Sequence, residues 1–189
     1  MMDPPADTSL WLPSLTNAST KRSSPLEQEV TGLFDQFRSP LLRYVLSFGL
    51  SVCDGEEVIQ EVFLSLFRHL QQGRSRENLR GWMFRVAHNL ALKQRHTRSP
   101  EVSACPEEAL LRRHAAPDPT PEEALAAKQR QERLLAVVQA LPERDRWCLQ
   151  LRAEGLRYRD ISGVLGMSLG AVSLSLVRSL ARLSRADGG

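Results

Sequence analysis

Leu156-Arg157-Tyr158-Arg159-Asp160-Ile161-Ser162-Gly163-Val164-Leu165-Gly166-Met167-Ser168-Leu169-Gly170-Ala171-Val172-Ser173-Leu174-Ser175-Leu176-Val177-Arg178-Ser179-Leu180-Ala181-Arg182-Leu183 reads as two short helices broken at Gly166. The first runs from Tyr158 to Leu165 with Ile161, Val164 and Leu165 inward. Gly166-Met167-Ser168 makes the turn, because glycine permits a positive φ and Ser168 can cap the next helix. Val172, Leu176, Leu180 and Leu183, at steps of four, four and three, are expected to bury the second helix. Ala171, Leu174, Ser175, Arg178 and Arg182 are then left on its free side. Two helices joined in this way form a helix-turn-helix, whose second member is sized for the DNA major groove. Few of these side chains bond to base edges. Arg178 can take a guanine or a phosphate, Ser175 a base or the backbone, and Ala171 and Leu174 can meet thymine methyls. Base reading is therefore expected to be weak or assisted by DNA shape.

Upstream of this motif, residues 142–153 read as a helix that buries Trp147, Cys148 and Leu151, with Gly155 as a left-handed cap. Pro142 opens it at a position that tolerates a missing amide. A further helix is predicted over 122–141. The stretch before it holds Pro100, Pro106, Pro117, Pro119 and Pro121 and reads as a linker, since proline breaks helical hydrogen bonding. At the other end, residues 1–25 combine four prolines with many serines and threonines, the composition of a disordered tail.

Between tail and linker the periodicity is helical. Leu33, Phe34, Phe37, Leu41, Tyr44, Val45 and Phe48 recur at spacings of three and four, as do Ile59, Val62, Phe63, Leu66 and Leu70, which predicts two antiparallel helices with facing apolar sides. A third helix follows the polar loop Gln71-Gln72-Gly73-Arg74-Ser75-Arg76. Its wheel puts Leu79, Trp82, Met83, Val86 and Leu90 on one side and Arg80, Phe84, His88, Ala91 and Arg95 on the other. From Arg74 to Arg98 there are seven basic residues against Glu77 alone, a density that seeks phosphate. Phe84 is expected to point outward among Arg80, Arg85 and His88, where a ring stacks on an unpaired base while cations hold the backbone. On the second helix, Asp54, Glu56, Glu57 and Glu61 crowd the first turns, where the helix dipole favours negative charge. The strip Glu57, Gln60, Glu61, Leu64, Arg68 is mixed and partly apolar, which suits a protein partner better than DNA.

The 189 residues, 42% hydrophobic and with a formal charge of +3, allow one or two small cores. Cys53, Cys105 and Cys148 are odd in number and show no CxxC pairing, so neither a disulfide framework nor a zinc site is indicated, and a reducing cytoplasm is expected. The first residues lack the basic flank and apolar core of a signal peptide, and no run approaches the ~18 apolar residues of a membrane span. The four histidines are scattered, with no nucleophile and base, phosphate loop or paired-ligand spacing. No catalytic residue, metal or cofactor is therefore expected.

Two stretches carry a family resemblance. Asp54-Gly55-Glu56-Glu57-Val58-Ile59-Gln60-Glu61-Val62-Phe63 and Asn78-Leu79-Arg80-Gly81-Trp82-Met83-Phe84-Arg85-Val86-Ala87-His88-Asn89-Leu90-Ala91 resemble region 2 of bacterial RNA polymerase sigma factors of the extracytoplasmic-function type. Leu141-Pro142-Glu143-Arg144 with the helix-turn-helix resembles region 4. The resemblance implies an all-α chain of two helical bundles: a region 2-like domain over 26–98, a linker over 99–124 and a region 4-like domain over 125–185. It implies a factor that binds core RNA polymerase, directs it to promoter DNA and opens the duplex. By position, Arg74, Arg76, Asn78, Arg80, Phe84, Arg85, His88, Asn89 and Arg95 fall on the surface that melts and binds the minus-ten element. The Gly73 to Asn78 loop corresponds to the segment that captures a flipped base. Glu57, Gln60, Glu61 and Leu64 form the polymerase-binding face. Ser168, Ala171, Leu174, Ser175, Arg178 and Arg182 face the minus-thirty-five groove. Gly170-Ala171-Val172-Ser173-Leu174-Ser175 departs from the family's usual recognition helix, which weakens upstream reading. The two faces and the linker would permit an anti-sigma protein to clamp both domains, and the free factor is expected to be a monomer. The rival reading is a stand-alone helix-turn-helix regulator that binds DNA as a dimer.

Overall fold

The computed structural model describes residues 24–97 and 121–187, and of residues 121–124 and 126 only the backbone. The tail and most of the linker expected from the sequence lie outside the described residues. Within them are seven helices and no strand: α1 Pro25–Leu46, α2 Val52–Gln71, α3 Leu79–Thr97, α4 Pro121–Gln139, α5 Glu143–Ala153, α6 Tyr158–Leu165 and α7 Leu169–Asp187. The all-α class is as expected. Each helix of the N-terminal unit starts for a local reason. Ser24 accepts from the Glu27 amide while the Glu27 carboxylate reaches back to Ser24, with Pro25 in the first turn. Ser51 and Asp54 repeat this reciprocal cap on α2. Asn78, itself at φ 52°, accepts from the Gly81 amide at 3.1 Å at the head of α3. Such caps satisfy amides that have no partner within the helix.

α1 and α2 pack face to face through the two stripes read from the sequence. Leu41, Tyr44, Val45, Ile59, Val62 and Leu66 are all fully or almost fully buried. α3 closes this bundle but turns a different side inward from the one its wheel suggests. Met83, Phe84, Ala87 and Ala91 have no exposure and His88 has 6%, while Leu79, Trp82, Val86 and Leu90 are half-buried. The cause is that α3 is covered on more than one flank, by α1, α2 and also α6. A wheel that assumes one buried stripe fails for such a helix.

In the C-terminal unit α5, α6 and α7 enclose Trp147, Cys148, Leu151, Ile161, Val164, Val172 and Leu176. Gly155 ends α5 at φ 80° and Gly166 ends α6 at φ 63°. α6 and α7 meet at 105°, and Ser168 Oγ accepts from the Ala171 amide at 3.2 Å, so the turn is built as expected. The packed face of α7 is Val172, Ser175, Leu176 and Ser179. Leu180, expected inside, is 53% exposed, and Leu183 is half-buried. Ser175 and Ser179 bring α7 close to its neighbours where leucine would hold it away. α4 begins at Pro121, within the stretch assigned to the linker, and lies along α7, with Arg130 paired to Asp187. Cys148 is free and buried. No single described helix is long and apolar enough to cross a membrane.

Candidate nucleic-acid interface

Of the nine residues placed on the minus-ten face, Arg74, Arg76, Asn78, Arg85 and Asn89 are exposed and Arg80 and Arg95 half-buried. Phe84 and His88 are not on a surface. The Phe84 ring is fully buried, 5.6 Å from the Tyr44 ring centroid. His88 Nδ1 is 2.8 Å from the Tyr44 hydroxyl, and its ring lies edge-on to Trp147 at 5.0 Å. The expectation that Phe84 stands outward to stack on a base is thus overturned, and His88 leaves the face with it. An unpaired apolar ring gains most by entering the α1–α3 core. Burial and the nearby Arg95 cation lower the His88 pKa to about 4, so the imidazole is neutral, which removes the phosphate attraction expected of it. No local pattern marks the Tyr44–His88 pair, since the two lie 44 positions apart.

Several of the remaining donors already have partners within the chain. Arg76 is paired through two nitrogens with Glu29, at 3.1 and 3.2 Å. Asn78 donates to Asp160 at 2.7 Å, Arg80 to the Glu154 carbonyl, and Arg95 to Glu143. These three acceptors all belong to the C-terminal unit. Arg43, which no sequence signal singles out, makes a two-pronged contact with the buried Glu154 carboxylate at 2.9 and 2.7 Å. Phe48 stacks on Trp147 at 5.0 Å and 19°, so an apolar contact joins the two units beside the polar ones.

On α2 the strip expected to meet the polymerase is open to solvent: Glu57, Gln60, Glu61 and Leu64 are all exposed, Leu64 by 45%. Glu61 is 3.6 Å from Arg68, two turns further along the same helix, and both are exposed. On α7, Ser168, Leu174, Arg178 and Arg182 are exposed and Ala171 half-buried. Ser175 is a second correction. It is fully buried and donates to Asp145 at 2.6 Å, so it ties α7 to α5 and does not reach a groove. Val177 is 59% exposed beside Leu174, which makes the outer side of α7 apolar as well as cationic.

Known proteins share this arrangement. The family model for Sigma-70 region 2 matches residues 33–100, and that for Sigma-70, region 4 matches residues 131–183. The chain is 28% identical over 158 residues to the RNA polymerase sigma-H factor of Pseudomonas aeruginosa, covering 80% of this chain and 82% of that one. It is 32% identical over 144 residues to the ECF RNA polymerase sigma factor SigE of Mycolicibacterium smegmatis, covering 74% and 55%. The fold is shared with the sigma factor RpoE of Bartonella quintana, solved in complex with the anti-sigma factor NepR, at a TM-score of 0.58 and 18% identity over 84% of this chain and 96% of that one. With regions 2 and 4 matched in order on its two helical units, the chain belongs to the sigma-70 family of RNA polymerase sigma factors, of the extracytoplasmic-function type.

Proposed function

We propose that this sigma factor docks on core RNA polymerase through Glu57, Gln60, Glu61 and Leu64, and reads promoters with two separate surfaces. The minus-ten surface is Arg74, Arg76, Asn78, Arg80, Arg85, Asn89 and Arg95, without Phe84 and His88. The minus-thirty-five surface is Ser168, Ala171, Leu174, Arg178 and Arg182, without Ser175. The observation that carries the reading is the joint exposure of the α2 strip and of Leu174, Arg178 and Arg182 on the units that match regions 2 and 4. Exposed mixed strips suit protein partners, and exposed arginines on a second helix suit a groove. Strand separation then rests on cations and on Asn78 and Asn89, with no ring supplied from Phe84.

In this reading the units are bounded as the sequence suggests, at about 26–98 and 125–185. The factor performs no catalysis, needs no metal or nucleotide of its own, and works in the cytoplasm on the polymerase. An anti-sigma protein gripping both units is part of the proposal, supported by the solved complex of the similar RpoE fold. Purified core polymerase mixed with this chain tests it. The expected result is a stoichiometric complex that starts transcripts at defined promoters, and that fails to form with a Glu57→Lys/Glu61→Lys variant. A chain that ignores the polymerase but binds a palindromic duplex as a dimer would be a stand-alone regulator, and the proposal would fall.

A further inference from the structure

We propose that the cleft between α3 and α6 is a binding site for a nucleoside polyphosphate, with the phosphates among Arg80, Arg157 and Arg159 and the base against Trp82. The cleft has a volume of about 640 Å³ and is lined by Asn78, Arg80, Gly155, Arg157, Arg159 and Asp160, a size usual for small-molecule sites. Three guanidiniums face one carboxylate there, a local charge of three minus one, or +2. That carboxylate is already hydrogen-bonded: Asp160 accepts from Asn78 Nδ2 at 2.7 Å and from the Arg157 amide at 3.2 Å. Arg157 and Arg159 are exposed and form no ion pair among the described residues. Arg80 is anchored by one bond to the Glu154 carbonyl, while its Nε is buried without a partner. Donor capacity therefore remains on a guanidinium that is already held in place. Guanidiniums gathered around one open cleft match the oxygens of phosphate groups. A Cβ at residue 155 would lie 3.0 Å from Arg80 Nη2, and the glycine there, at φ 80°, is what lets the arginine reach. α6 starts at this cleft, and the positive end of its dipole adds to the same field.

The nucleoside part follows from a second, smaller cleft of about 180 Å³, which shares Asn78, Arg159 and Asp160 with the first and adds Glu77, Gly81, Trp82, Arg85 and Gly163. The half-buried Trp82 ring packs against His69, with centroids 4.6 Å apart, and also borders this cleft. A Cβ at Gly163 would meet no atom within 4 Å, so α6 leaves room there for a flat ring. A base gains by stacking on an aromatic side chain. Glu77 and Asp160 are acceptors suited to ribose hydroxyls and to the exocyclic amine of a base, and they would repel a further phosphate. Together the two clefts fit a molecule with one polyanionic end and one aromatic, hydroxyl-bearing end. Trp82 and Arg80 come from the N-terminal unit and Arg157 and Arg159 from the C-terminal one, so a bound nucleotide touches both. It stabilises the folded chain in proportion to its concentration over its dissociation constant.

The test titrates the full chain, without polymerase, with ATP, inorganic tripolyphosphate and adenosine in an isothermal calorimeter. ATP is expected to bind one to one and to raise the thermal unfolding midpoint. Tripolyphosphate should bind about fivefold more weakly for want of a base to stack, and adenosine more weakly again for want of phosphates. Arg157→Ala/Arg159→Ala should weaken ATP binding by about tenfold or more, the loss expected when charge-assisted hydrogen bonds are removed. Arg133→Ala/Arg144→Ala removes the same charge from exposed positions outside both clefts and should leave the affinity unchanged. Circular dichroism checks that both variants keep the helix content of the parent. No heat of binding from ATP, several ions bound per chain, full affinity in the Arg157/Arg159 variant, or an equal loss in the Arg133/Arg144 variant would each overturn the site. Tripolyphosphate binding as tightly as ATP would overturn the placement of a base on Trp82. The site stands apart from the promoter assignment: a chain that binds ATP as described but starts no transcripts with core polymerase keeps the one and loses the other.

Discussion

At Phe84 the ring is enclosed by the α1–α3 core against Tyr44. Phe84→Ala should therefore cost about 3–5 kcal/mol of stability, read as a lowered urea midpoint. Polymerase binding and strand opening should fall together. Selective failure of opening with full stability would instead mean that the ring reaches DNA. At Ser175 the hydroxyl is the partner of Asp145. Ser175→Ala removes that donor from a buried position, with an expected cost of about 1–3 kcal/mol and no change in the salt dependence of DNA binding. A changed salt slope with unaltered stability would put Ser175 back on the groove side. A helix wheel assigns such a serine or phenylalanine from its neighbours along the chain, whereas its burial depends on elements that arrive from elsewhere in the molecule.

Among the elements, α7 carries the clearest dissectible surface. Arg178 and Arg182 are exposed on it, so Arg178→Ala/Arg182→Ala should weaken upstream duplex binding. The slope of log affinity against log salt should flatten by about 0.9 for each phosphate that is no longer neutralised. An unchanged slope in a titration from low to moderate salt would rule out α7 as the groove reader. The α6–α7 turn supports this surface through Gly166 in the left-handed region. Gly166→Ala should cost about 1–2 kcal/mol and weaken duplex binding by misaiming α7, while a neutral substitution would show that the turn tolerates a Cβ. The turn and the α1 and α2 stripes are legible in the sequence, because each depends on residues within one or two helical turns of each other. The inward side of α3 is not, because three helices surround it.

At the scale of the whole molecule, pH is expected to act on stability through His88 and Glu143, which lie where the two units meet. His88 has a folded pKa of about 4 against an ordinary 6.5, so the fold favours its neutral form. Its contribution is complete above pH 6.5 and fades as pH falls toward 4. Glu143 is held below its usual carboxylate value by its hydrogen bond to Arg95, so its contribution disappears on further acidification. Stability should decline from pH 7 downward, and His88→Gln should flatten that decline between pH 6.5 and 4 in denaturant titrations. An unaltered profile would mean that His88 does not report on the core. At this scale, periodicity, capping and motif order were enough to establish the helical class, the two-unit order, the helix-turn-helix and the family, since all of these are local properties of the chain. The inward placement of Phe84, His88 and Ser175 emerged from folding alone, as did the meeting of Asn78, Arg80 and Arg95 with acceptors 82, 74 and 48 positions away. Those outcomes depend on how separate helices dock, and no local pattern encodes which carboxylate will meet which arginine once the chain has closed.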